Sequence, residues 1–90
     1  MLKIRYSSKF KKDYKSIIKR GYNVKLLEEV LECLCSENQL PEKYKDHLLV
    51  GNWGGHWECH ILPDWLLIYK VEQDTLTLTL TRTGSHSDLF

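Results

Sequence analysis

Ninety residues, a formal net charge of +1 and a hydrophobic share of 42% describe one globular domain, near the lower size limit for a self-sufficient core. The charged share of 28% is ordinary, which excludes wholesale disorder, and no apolar run approaches the ~18 residues of a membrane span. The opening stretch MLKIRYSSKFKK turns polar at once and offers no signal-peptide core. Three cysteines cannot all pair, and Cys33 and Cys35 point in different directions on a predicted helix, so a reduced, cytoplasmic setting is expected.

The near-neutral total hides an asymmetry. Lys3, Arg5, Lys9, Lys11, Lys12, Lys15, Lys19, Arg20 and Lys25 come early, opposed only by Asp13, whereas Glu28, Glu29, Glu32, Glu37 and Glu42 follow. A basic first helix is either a solvated face, the default for surface lysines, or an edge that attracts phosphate.

Leu2, Ile4 and Tyr6 alternate with Lys3 and Arg5, which predicts a short strand with one buried face. Ser7 and Ser8 are good N-cap residues, and Phe10, Tyr14, Ile17 and Ile18 then recur at helical spacing up to Gly21, placed for a left-handed C-terminal stop. Asn23 caps a second helix with an apolar stripe of Val24, Leu27, Val30, Leu31 and Leu34, ended at Asn38. The short join makes the two an antiparallel helical hairpin. After Leu40-Pro41 the pattern changes to sheet: His47–Val50, His56–Leu62, the almost wholly apolar Trp65–Val71, and TLTLTLTRTG with Leu76, Leu78 and Leu80 inward. The tail SHSDLF is too short for a further element. The expectation is an α+β domain spanning 1–90, β-α-α-β-β-β-β, with an antiparallel sheet backed on one face by the N-terminal hairpin.

On the His56–Leu62 strand the polar set His56, Glu58 and His60 takes the uncovered face, opposite Trp57, Cys59 and Ile61. Asp64 and Trp65 follow at the turn. The last strand ends at Arg82, and His86 can swing toward His60 and Asp64 if that strand lies near Trp65–Val71. The inventory suits metal-free RNA cleavage. That reaction needs a base for the 2′-OH, an acid for the departing 5′-oxygen and a cation for the phosphate. Imidazoles work near neutral pH, Asp64 can take a proton or fix a tautomer, Arg82 can grip a phosphate, and Trp65 can stack on a base.

Each residue also has a plainer reading. A lone histidine is more often a surface residue, and His56, flanked by glycine, is read that way. Trp53 and Trp57 read as packing, Trp65 equally as core or platform, and Arg82 as a solvent-facing charge. Cys59 beside His60 hints at metal, but neighbouring strand residues face opposite ways, so neither a zinc site nor a Cys-His nucleophile pair is expected.

The segments YKDHLLVGNWGG, ECHILPDWLLIYK and LTRTGSHSDLF together resemble the YafQ branch of the RelE/ParE-like toxin superfamily, over essentially the whole chain. The resemblance implies a RelE-like fold and a ribosome-dependent mRNA endonuclease that needs no metal or other cofactor and leaves a 2′,3′-cyclic phosphate. It also implies a cognate antitoxin partner, ribosome and mRNA contacts, operator DNA reached only through the antitoxin, and no membrane. Carried over by motif, the catalytic positions fall on His47, His60, Asp64 and His86. Arg82, Trp65 and Phe90 fall on the RNA-binding positions. Many relatives carry arginine where this chain has Trp57, which makes Lys9, Lys11, Lys12, Lys15 and Lys19 the better candidates for rRNA phosphate contact. The rival readings are a non-catalytic binding module of the same fold and a small metal-binding domain.

Overall fold

A computed structural model describes residues 1–90. Strand β1 (Lys3–Tyr6) leads into helices α1 (Ser8–Lys19) and α2 (Val24–Cys35). Strands β2 (His47–Leu48), β3 (Trp57–Leu62), β4 (Trp65–Glu72) and β5 (Thr77–Gly84) follow, then a one-turn helix α3 (His86–Leu89).

The helix ends form where the sequence chemistry puts them. The Ser7 hydroxyl accepts the Phe10 amide at 2.9 Å and starts α1. Gly21, with φ +78°, stops it: the Gly21 and Tyr22 amides return to the Ile18 and Ile17 carbonyls. The Asn23 side chain accepts the Lys25 amide at the head of α2. Its far end differs from the expectation. Glu37, not Asn38, takes the left-handed conformation, at φ +59°, because the closing bonds run from Glu37 to Leu34 and from Asn38 to Cys33.

The five strands lie in the order β1-β5-β4-β3-β2. β2 to β5 form an antiparallel meander, but β1 pairs with β5 in parallel, so the sheet is mixed rather than antiparallel throughout. Alternation within Leu2–Tyr6 reveals a half-buried strand and carries no information about the direction of its neighbour. Two further expectations change. Leu76 lies half-exposed in the β4–β5 turn at φ +49°, outside β5, and only Leu78 and Leu80 are buried. The tail is an element after all: Ser85 and Asp88 make a capping box that holds α3.

The main core lies between the helical hairpin and one sheet face. Phe10, Ile17, Leu27 and Val30 meet Cys59, Ile61, Leu67, Tyr69, Leu78 and Leu80 there. A smaller cluster of Leu66, Ile68 and Leu89, flanked by Leu49 and Trp53, covers part of the other face. Helix α3 therefore packs by Leu89 on the side away from α1 and α2, at the same end of the sheet as the β3–β4 turn.

Candidate active site

Strand register builds the site. His60 is paired with Leu66, and Leu66 with Gly84, so β3, β4 and β5 set these three residues in one row. Two strand spacings, about 10 Å, then separate the His60 backbone from the residue two before His86. At the end of that row the Asp64 carboxylate accepts the His86 amide at 2.9 Å, joining the β3–β4 turn to the start of α3. The His86 ring lies 5.2 Å from the exposed Phe90 ring, tilted by 35°.

The second group sits on the edge strands. His47 on β2 pairs with Glu58 on β3, and the two imidazoles flank that carboxylate: Nε2 of His47 lies 3.5 Å and Nε2 of His60 3.6 Å from Glu58 Oε1. Their rings are 6.3 Å apart. Glu58 is only 6% exposed, so these two imidazoles are the polar side chains within reach of a buried carboxyl. The other nitrogen of His60 lies 3.4 Å from the Pro63 carbonyl. Motif reasoning does not single out Glu58; the signal for it is its position between two histidines in the polar set of β3. Nearby, Tyr69 donates to Asp46 at 2.5 Å, and burial raises the Asp46 pKa against the opposing effect of that hydrogen bond.

Arg82 does not face solvent freely. β1 ends at Tyr6 opposite Leu80, so beyond Leu80 the outer side of β5 lacks a strand partner. Helix α1 takes over: the Ser7 hydroxyl donates to the Thr81 carbonyl, and Asp13 accepts the Thr83 amide. Asp13 also accepts Arg82 Nε at 2.7 Å and Nη2 at 3.1 Å, an ion pair that raises the arginine's pKa. Asp13, the lone acid among early cations, is thus a structural anchor for the phosphate candidate. A second ion pair, Arg20 to Asp88 at 2.7 Å, ties the C-terminus of α1 to α3 and holds the Asp88 carboxyl down at about 2.

Two expectations need correction. The Trp65 ring is 1% exposed, donates to Thr83 Oγ1 at 2.9 Å and meets Tyr22 edge-on, so it closes the core under the turn and offers no face to a base. Asp64 engages the His86 amide rather than fixing an imidazole tautomer. Cys59 and His60 do lie on opposite faces, the thiol fully buried in the helix-side core and its pKa raised by that burial. Lys9, Lys11, Lys12 and Lys15 are all exposed on α1.

Residues 2–90 match the family described as the bacterial toxin of type II toxin–antitoxin systems, YafQ. The chain belongs to the YafQ family. The mRNA interferase toxin YafQ of Escherichia coli K12 is 40% identical over 88 residues, 97% of this chain and 94% of that protein. The crystal structure of a metal-bound toxin from Helicobacter pylori superposes with a TM-score of 0.94 at 48% identity, each chain covered completely. YafQ in the E. coli DinJ-YafQ complex superposes with a TM-score of 0.90 at 38% identity, over 100% of this chain and 99% of that one. The YafQ fold and its mixed five-stranded sheet with three helices are therefore those of this chain.

Proposed function

We propose that this YafQ-family chain is an mRNA interferase: a ribosome-dependent endoribonuclease that cuts messenger in the decoding site by metal-independent acid–base chemistry. The observation that carries the reading is the convergence of His60, Asp64 and His86, from β3, the β3–β4 turn and α3, at one end of the sheet. His60 and His86 stand on either side of the scissile phosphate. One imidazole takes the 2′-OH proton, the 2′-oxygen attacks phosphorus, the bond to the 5′-oxygen breaks, and the other imidazole returns a proton to that oxygen. The products are a 2′,3′-cyclic phosphate and a 5′-hydroxyl.

The remaining residues serve that displacement. Arg82 has five N–H donors, of which Asp13 takes two, so the pre-aligned guanidinium retains donors for a nonbridging phosphate oxygen. Asp64 fixes the start of α3 and with it His86. Glu58 and His47 stand behind His60 as a relay. The exposed Phe90 ring beside His86 stacks on a codon base. Lys9, Lys11, Lys12 and Lys15 meet ribosomal RNA phosphates. A cognate antitoxin of acidic, amphipathic character covers these surfaces, as a DinJ partner binds the E. coli relative; operator DNA is reached only through it. Such an enzyme works in the cytoplasm, and no helix here is long and apolar enough to cross a membrane.

The test is to map 5′ ends on a translated message with purified ribosomes, with and without chelator. New ends at codon positions in both arms support the reading. Ends without ribosomes, or only without chelator, overturn its ribosome or metal clause. The chelator arm is informative because a relative has been crystallised with metal.

A further inference from the structure

We infer that Arg20 and Asp88 are positioning residues for the cleavage reaction, acting together as a clamp that sets where the His86 side chain stands. The inference rests on the reading of His86 as one of the two proton-transfer groups.

A four-residue helix has no stability of its own, because too few backbone hydrogen bonds form to offset nucleation. Something outside it must fix its orientation. Asp88 does so from within: its Oδ2 accepts the Ser85 amide at 2.8 Å, while its own amide donates to Ser85 Oγ at 3.3 Å. Arg20 does so from outside, reaching 2.7 Å to the same Oδ2 from the C-cap of α1, 68 residues away in sequence. The guanidinium also lies 5.1 Å over the Tyr22 ring, which meets buried Trp65 at 79°, so the clamp is referred back to the core. On the other side Asp64 holds the His86 amide. His86 is thus gripped between two carboxylates from different elements, only one of which reaches it directly. The backbone is built for this closeness. Gly84 has φ +154°, and a Cβ there would stand 2.8 Å from Asp88 Oδ2, so only glycine admits the carboxylate under the turn.

An exposed ion pair of this kind adds little to global stability, which separates its role from a merely structural one. Shifting a reacting group by about 1 Å can cost about 10²-fold in rate. The experiment measures single-turnover cleavage on programmed ribosomes for R20A, R20K, D88N, H86A and the double variant R20A/H86A, alongside ribosome affinity and urea midpoints. The expected result is a roughly 10- to 100-fold lower single-turnover rate for R20A and D88N with ribosome affinity and the midpoint nearly unchanged. R20K should recover part of the rate, and R20A/H86A should be no slower than H86A, because the clamp acts only through that imidazole. If H86A loses activity while R20A and D88N cleave normally, the clamp is overturned and the nuclease reading stands. A further loss from R20A in the H86A background also overturns it. If H86A itself cleaves like the parent, the reading of His86 fails and the clamp falls with it.

Discussion

The Asp64 carboxylate holds the His86 backbone amide at 2.9 Å across 22 residues of chain, and this bond joins the β3–β4 turn to the C-terminal helix. It also redefines Asp64, whose partner is the peptide group that fixes an imidazole's position and not an imidazole. Asp64→Ala removes that acceptor, whereas Asp64→Asn keeps a carbonyl oxygen in the same place. Asp64→Ala should therefore slow cleavage by up to about 10²-fold, as for a displaced reacting group, with Asp64→Asn between it and the parent. Single-turnover rates would show this. Equal rates for Asp64→Ala and the parent would remove Asp64 from the mechanism.

Asp13 should be the costliest surface-near carboxylate to lose. Its side chain accepts two Arg82 donors and the Thr83 amide while only 15% exposed. Asp13→Ala leaves a partly buried guanidinium and a strand-edge amide without their acceptor, which should cost about 2–4 kcal/mol. Urea unfolding measures it, and a change below about 0.5 kcal/mol would mean that β5 does not depend on α1 at this edge.

Much of this frame is visible in the sequence, for local reasons. Ser7, Gly21 and Asn23 act at helix ends through bonds within a few residues, so residue type and spacing are enough to place them. Strand alternation likewise puts Cys59 and Ile61 toward the helices and Glu58 and His60 away from them. Non-local partnerships are not visible. Nothing near Asp13 in the chain announces Arg82, 69 residues on, nor does Leu2–Tyr6 state that its neighbour runs parallel. Trp65 shows why residue type misleads: an indole after Pro63-Asp64 suits a base platform and a core equally, and only the Thr83 hydroxyl beneath it satisfies its N–H in the interior. The α3 capping box is written in Ser85 and Asp88, but four residues fall below the length at which periodicity speaks.

Acid should weaken the tie between α1 and α3 only at low pH, because its carboxylate is held in the charged form. The Asp88 carboxyl sits at about 2, chiefly through its hydrogen bond to Arg20 and then through the Ser85 amide, below the ordinary aspartate value of about 3.9. A depressed carboxylate contributes stability that is complete above the unfolded value and is lost as pH falls through the folded one. The window is therefore about pH 4 down to 2, and solvent exposure of the pair limits the loss to about 1 kcal/mol or less. Asp46, whose pKa is raised by desolvation of its carboxyl, has the opposite sign: its contribution fades as pH rises through its folded value. Urea midpoints from pH 5 to 2 should fall less steeply for Asp88→Asn than for the parent. Parallel slopes would show that the ion pair contributes no proton linkage.

The lysines of α1 should govern ribosome affinity through salt. Replacing Lys11, Lys12 and Lys15 by glutamine should weaken association and reduce the slope of log affinity against log salt by roughly 0.7–0.9 for each phosphate no longer neutralised. The cleavage rate of ribosome-bound enzyme should change little. An unchanged salt slope would place the ribosomal RNA interface elsewhere on the molecule.

The most direct test of the central claim is cleavage of a message carrying a single 2′-deoxy nucleotide at the scissile position, on ribosomes, with the end groups of any product identified. Attack by the 2′-oxygen predicts no cut at that position, and a cut with a 2′,3′-cyclic phosphate and a 5′-hydroxyl in the all-ribose control. Undiminished cleavage of the 2′-deoxy message, or a 5′-phosphate in the control, would contradict it.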